Sequence, residues 1–204
     1  MGFSEASLLL ASYVSGGVPT GYLLARSLRG IDIREHGSGN PGAANVYRVV
    51  GPAAGLATLA FDAAKGFIPV FLAARLAPEV AWLPAACGGA AIVGHDWSPF
   101  LGFGGGKGVA TTAGVFAALC PKALLATYAA FVAGVSLSGH ISVGSIAGAG
   151  LFPLAALASG ADSAAMALGA PAALLILYRH IPNIKSLRTG EPLAVGQKIA
   201  QVNP

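Results

Sequence analysis

The chain has 204 residues, 55% of them hydrophobic and only 10% charged, with a mean hydropathy of +0.70. A soluble domain carries roughly 25% charged residues, so a water-soluble globular fold is excluded. An integral membrane protein is implied, its core covered by lipid instead of water. The net charge of +4 and the pI near 9.3 do not require nucleic acid, and none is expected as a partner. What matters is the side of the membrane on which the cations fall.

Twenty-nine glycines, with abundant alanine, point to closely packed helices that use small contact residues. Cys87 and Cys120 sit in apolar surroundings and have no metal-ligand spacing, so they read as buried free thiols. No basic stretch precedes the first apolar run, which therefore reads as a first span and not as a cleaved signal.

In chain order, residues 6–25 are uncharged for 20 positions, about the length that crosses a bilayer. A polar stretch follows over residues 26–51, with Gly37-Ser38-Gly39-Asn40-Pro41-Gly42 inside it. A second span is expected over residues 52–72, carrying Asp62 and Lys65, and a third over residues 80–93, ending at His95. Asp62 and Lys65 lie three apart on one helical face, where they neutralise one another or a neighbour. A glycine-rich loop occupies residues 96–108. Further spans are expected over residues 141–158 and 164–178, and the tail after Gly190 reads as a loosely ordered end.

Residues 109–137 fit either one long span or two short ones hinged at Cys120-Pro121-Lys122, and charge decides between them. Two spans put Arg26, Arg29, Arg34, Arg48, Lys107, Arg179, Lys185, Arg188 and Lys198 on one side, against Arg75 and Lys122 on the other. That asymmetry is what the positive-inside rule demands. One span would destroy it. The expected fold is an all-α, single-domain integral membrane protein over residues 1–204, with seven transmembrane helices, N-terminus outside and C-terminus cytoplasmic.

The stretch Gly104-Gly105-Gly106-Lys107-Gly108 combines bare backbone with a cation and opens onto an apolar helix. Glycine-rich turns at helix N-termini are anion sites; the bland alternative is a packing-driven hinge. It is not a Walker loop, because Leu101 stands where the first glycine is required and Gly108 where Ser or Thr should hold magnesium. The same membrane face gathers Ser38, Asn40, Asn45 and Arg48, then His140, Ser142 and Ser145, then Arg179, His180, Asn183 and Lys185. Arg, Lys, Ser and Asn with glycine amides suit phosphate. No acidic cluster resembles a magnesium or zinc site, so neither metal nor cofactor is expected.

Each group has a structural alternative. The Gly37–Gly42 stretch has the composition of any turn. Arg179 and His180 suit snorkelling and dipole roles at a helix end. His95 either orients the loop or caps the third span. Ser38 has no base adjacent in sequence, which argues against a covalent nucleophile.

At these motifs the sequence resembles the bacterial membrane glycerol-3-phosphate acyltransferases that use acyl phosphate as donor, the PlsY family. The resemblance covers almost the whole chain. It rests on Gly30-Ile31-Asp32-Ile33-Arg34 leading into Gly37-Ser38-Gly39-Asn40, with Gly42, Asn45, Arg48 and Gly51. Asp62, Lys65 and Gly66 match the second span; Gly94-His95 and Gly105-Gly106-Lys107-Gly108-Val109-Ala110-Thr111 match a second motif. Ser142 and Ser145 match a serine-containing turn, and Arg179-His180, Asn183-Ile184 and Gly190-Glu191 a third motif. The sequence departs from the pattern at Ala44 (usually Thr), at Gly102, Gly104 and Ser186 (usually basic), and at Gly139-His140 (commonly Arg-Tyr). The lost cations weaken attraction for anions without touching the residues assigned to the reaction.

The resemblance implies acyl transfer from acyl phosphate to the 1-hydroxyl of sn-glycerol 3-phosphate, giving lysophosphatidic acid and inorganic phosphate. It implies that Lys107, His180, Ser38, Arg48 and Asn183 carry the reaction. Gly104, Gly105, Gly106, Gly108, Ser142, Ser145, Asn40 and Asn45 would bind substrate. It implies a multi-pass protein of the bacterial cytoplasmic membrane with its site facing the cytoplasm, and it leaves open docking of the enzyme that makes acyl phosphate. The proton acceptor is either His180 or the donor's own phosphate.

Rival classes fit less well. A phosphate or other anion transporter predicts paired broken helices, and the chain has one glycine loop. Acyltransferases that use acyl-CoA or acyl carrier protein place Asp five residues after His, a spacing that His36, His95, His140 and His180 all lack. A CDP-alcohol phosphotransferase needs several spaced aspartates, whereas Asp32, Asp62, Asp96 and Asp162 are scattered.

Overall fold

The computed structural model describes residues 4–190; the expected loose tail, with Glu191 and Lys198, lies outside them. Among the described residues every element is helical. The expected first span is interrupted. It divides into α1 (Glu5–Gly17) and α2 (Thr20–Arg29), because Pro19 has no N–H to continue the ladder. Ser4 caps α1 by accepting the Ser7 N–H. The polar stretch that follows holds a short helix, α3 (Ala43–Val49).

The second span is α4 (Pro52–Leu76), longer than expected and running through Pro69. The third is α5 (Leu83–Asp96), and the glycine loop leads into α6 (Val109–Leu119). As the charge count required, residues 109–137 form two helices. The second of these is α7 (Pro121–Ser138), and the break falls at Cys120 (φ −151°, ψ 63°) immediately before Pro121. Then come α8 (Ile141–Ala158), as expected, α9 (Ser163–Arg179), and α10 (Ile181–Thr189), which bends 42° from α9.

Four of these segments are long and apolar enough to cross a bilayer, counting Glu5–Arg29 as one, and five if α9 and α10 form one bent span. At about 1.5 Å per residue, α5 and α6 are too short to cross about 30 Å of hydrocarbon unaided. The outer surface carries large exposed apolar side chains, among them Leu10, Leu125, Leu137, Leu154 and Leu174. Such a surface is expected only where lipid is the solvent.

Inside, the helices meet through backbone. At the crossing of α4 and α6, Gly66 lies on the Thr111 carbonyl, and Gly114 on that of Ala63. A Cβ at either glycine would overlap the facing oxygen. Gly66→Ala is therefore expected to cost about 1–3 kcal/mol of stability, measured as a lowered melting temperature in detergent. Beneath this crossing Val70, Val115 and Phe116 pack with Phe152 and Ala172, the Phe116 and Phe152 rings centred 4.1 Å apart. This core ties α4, α6, α8 and α9 together, and the polar ends of those four helices frame the site.

Candidate active site

A cavity of about 1140 Å³ opens among α3, α4, the N-terminus of α6, the start of α8 and the α9–α10 junction. Its wall brings together Ser38, Asn40, Asn45, Arg48, Lys107, Ser142, Ser145, His180 and Asn183, residues up to 145 positions apart in sequence. Arg48, Lys107 and Arg179 are its cations; Asp62, the acid on its wall, is paired with Lys65. Leu56, Leu59, Phe131 and Ile141 add apolar surface to its wall. The chamber thus suits a ligand with an anionic head and an apolar tail. Among the described residues no three His, Cys, Asp or Glu side chains gather as metal ligands.

The first polar loop is shaped by Asn45, which is buried on α3. Its Oδ1 accepts the Ser38 N–H at 3.0 Å, and its Nδ2 donates to the carbonyls of His36 and Ile33 at 2.9 and 3.3 Å. These bonds hold the loop that presents Ser38. Asn40 Oδ1 accepts the Gly42 N–H at 2.9 Å, forming the turn into α3. Arg48 projects from the same helix, and burial lowers its pKa while leaving it cationic.

The glycine loop is built differently from the expected cradle of bare amides. Gly104, Gly105, Gly106 and Gly108 do not line the cavity. Gly105 and Gly106 press against the C-terminus of α5, where a Cβ would overlap the His95 carbonyl or its ring. The Gly106 N–H is already given to the His95 carbonyl, at 3.1 Å. Missing side chains here serve close packing. The loop's carbonyls turn to Arg179, which donates to Gly105 and Gly106 and also to Asp96, and stacks over Trp97 at 5.5 Å. What the loop offers the cavity is Lys107, together with Val109 and Ala110 in the first turn of α6. Their amides have no partner four residues back and sit at the positive end of an 11-residue helix.

Lys107 Nζ donates to Asn183 Oδ1, joining the loop to α10. Burial first, and then the positive charges of Arg48 and Arg179, lowers its pKa from 10.5 to about 8. His180 is buried; its Nδ1 donates to the Ile176 carbonyl at 2.8 Å, so the neutral ring keeps a lone pair on Nε2. Ser145 Oγ donates to the Ile141 carbonyl at 3.0 Å and retains its acceptor capacity.

Sequence reasoning missed the apolar wall and Ser186, which lines the cavity where the resemblance leads one to expect a cation. Leu56, Leu59 and Asp62 recur every three residues along α4, the spacing of one helical face. That was a readable signal. The three carbonyls gathered by Arg179 were not, because backbone acceptors leave no mark in a sequence.

The glycerol-3-phosphate acyltransferase family model matches residues 6–190. The glycerol-3-phosphate acyltransferase of Desulforudis audaxviator is 45% identical over 180 residues, covering 88% of this chain and 90% of the relative. That of Geobacter sulfurreducens is 43% identical, with 92% and 95% covered. The crystal structure of PlsY in its glycerol 3-phosphate form aligns over 95% of this chain and 96% of its own length, with a TM-score of 0.89 and 33% identity. The lysophosphatidic acid form aligns with a TM-score of 0.86 and 32% identity. With matches in sequence and in structure along nearly its whole length, this multi-pass membrane protein belongs to the glycerol-3-phosphate acyltransferase family, the PlsY family.

Proposed function

We propose that this chain transfers an acyl group from acyl phosphate to the 1-hydroxyl of sn-glycerol 3-phosphate, releasing 1-acyl-sn-glycerol 3-phosphate and inorganic phosphate. The observation that carries the reading is one cavity lined both by Arg48, Lys107, His180 and Asn183 and by Leu56, Leu59, Phe131 and Ile141. Acyl phosphate is a mixed anhydride with a good leaving group, so catalysis mainly requires positioning two anions and neutralising them. The donor's phosphate sits at the first turn of α6 beside Lys107, with its acyl chain along the apolar residues of the wall. Ser38, Arg48, Ser145, His180 and Asn183 hold glycerol 3-phosphate, and Lys107 bridges the two phosphates. The hydroxyl oxygen bonds to the acyl carbon, the bond from that carbon to the phosphate oxygen breaks, and the proton passes to the departing phosphate.

With two crossings over residues 109–137, the sequence assigns nine of the cations to one membrane side. In this reading they place the site at the cytoplasmic face of a bacterial inner membrane, with α5 and α6 completing seven crossings through a locally thinned bilayer.

The test is phosphate release by the purified protein given palmitoyl phosphate with and without glycerol 3-phosphate, with palmitoyl-CoA as the alternative donor, its use read as release of the CoA thiol. Release that requires glycerol 3-phosphate and acyl phosphate supports the reading; its absence from folded protein, or equal use of palmitoyl-CoA, overturns it. His180→Gln is expected to raise KM for glycerol 3-phosphate while kcat stays within about threefold. A fall in kcat of about 10² or more would instead make His180 the base.

A further inference from the structure

Behind the glycine loop lies a polar cluster that the reaction as described does not use. Asp62 and Lys65 sit a turn apart in the middle of α4, their side chains only 3% and 9% exposed. Lys65 Nζ is 2.7 Å from Asp62 Oδ1, an ion-pair contact outside hydrogen-bond geometry. The same ammonium donates at 2.8 Å to the Val18 carbonyl, at the break between α1 and α2. On its other side Asp62 Oδ1 lies 3.8 Å from His95 Nδ1. The second ring nitrogen of His95, Nε2, rests so close to Gly106 that a Cβ there would overlap it, and the His95 carbonyl holds the Gly106 N–H. Lys107 follows directly. Asp62 and His95 also form part of the cavity wall.

A charged pair inside a membrane helix is expensive. Mutual neutralisation alone would not explain why its carboxylate faces the imidazole on which the glycine loop rests. We propose that Asp62 is a positioning residue for acyl transfer: held by Lys65, its carboxylate orients the His95 ring, and the ring sets Gly106 and so the Lys107 ammonium in the cavity. The proposal rests on the reading of Lys107 as a phosphate ligand, and its test separates the two.

The variants are Asp62→Asn, Lys65→Met and the double variant. Each single change strands a buried polar partner and is expected to lower the melting temperature; the double variant, with no charge left over, regains much of it. If neutralisation were the whole role, the double variant would also regain activity. Positioning predicts that its kcat/KM stays about 10- to 100-fold below wild type. Replacing His95 by alanine then adds little in that background, because both changes break one linkage.

A second readout needs no catalysis. Lys107 faces Arg48, Arg179, His180 and Asn183, and its pKa near 8 depends on that buried placement. Acetic anhydride labelling of Lys107 across pH, read by peptide mass spectrometry, is expected to show a higher midpoint in the double variant and in the isosteric Asp62→Asn. An unmoved midpoint overturns the proposal, whether or not the wild type proves to be an acyltransferase. So does a double variant with wild-type kcat/KM. An inactive wild type whose Lys107 midpoint still shifts in the variants overturns the proposed function and leaves the linkage standing.

Discussion

Lys107→Ala is expected to lower kcat/KM by about 10²–10³-fold, the usual cost of removing a group that meets charge in the transition state. Lys107 lines the cavity with Arg48 and Arg179, its ammonium on Asn183. No other cation in the wall sits on the loop that enters α6. Its ionisation adds a pH signature. An amine whose pKa is lowered to about 8 by burial and two neighbouring cations is protonated below that value and loses its charge as pH rises through it. The kcat/KM of the free enzyme should therefore fall through about pH 8, well before an ordinary lysine would titrate. In kcat the limb should lie higher, because bound phosphate favours the ammonium. Lys107→Arg should remove the limb, since a guanidinium does not titrate in this range, whatever rate remains. A kcat/KM profile that is flat through pH 9 would show that the Lys107 charge is not used.

The second large effect is expected at Arg179, through the loop and not through substrate. Its guanidinium donates to Gly106 from both Nε and Nη2, at 3.0 and 2.6 Å, and from Nη2 to Asp96 and Gly105, each at 3.0 Å. Arg179→Lys keeps the charge but loses the planar fork and the stacking on Trp97. If Arg179 acted only on the helix dipole, its removal would cost about 0.3–1 kcal/mol and lysine would suffice. A clamp on three carbonyls predicts otherwise. Arg179→Ala should cost about 1–3 kcal/mol of stability, and Arg179→Lys should retain most of the stability yet lose about 10²-fold in kcat/KM, as Lys107 drifts from place. Melting curves and steady-state rates on the same preparations distinguish the two.

Much of the architecture was legible beforehand. Hydropathy placed α8 at its observed limits and α4 at its observed start, and the charge count divided residues 109–137 at Cys120, where the structure breaks. The first span is present over Glu5–Arg29, but the sequence reading did not mark the break inside it: apolar composition persists through Pro19 while helical hydrogen bonding does not. The site was legible as a set of residue types: Ser38, Arg48, Lys107, Ser145, His180 and Asn183 do share one cavity. The glycine loop was expected to present bare amides to the cavity, and the structure spends its backbone elsewhere. Bare backbone meant contact with α5 and Arg179, so its cavity-facing contribution reduces to Lys107 and the first turn of α6.

What this sequence determines alone is a lipid-embedded helical chain with a positive excess in its polar stretches and a phosphate-suited set of polar groups among them. Composition, span length and charge asymmetry are properties of the chain taken locally, and the bilayer reads them without any tertiary contact. Which groups meet substrate and which hold the frame was decided only on packing. The same asparagine, arginine or glycine binds backbone when an unpaired carbonyl or amide lies within reach, and the fold alone puts one there. Asn45 and Arg179 are consumed in that way, whereas Lys107 donates to a side chain, Asn183, and lines the cavity within the field of two other cations.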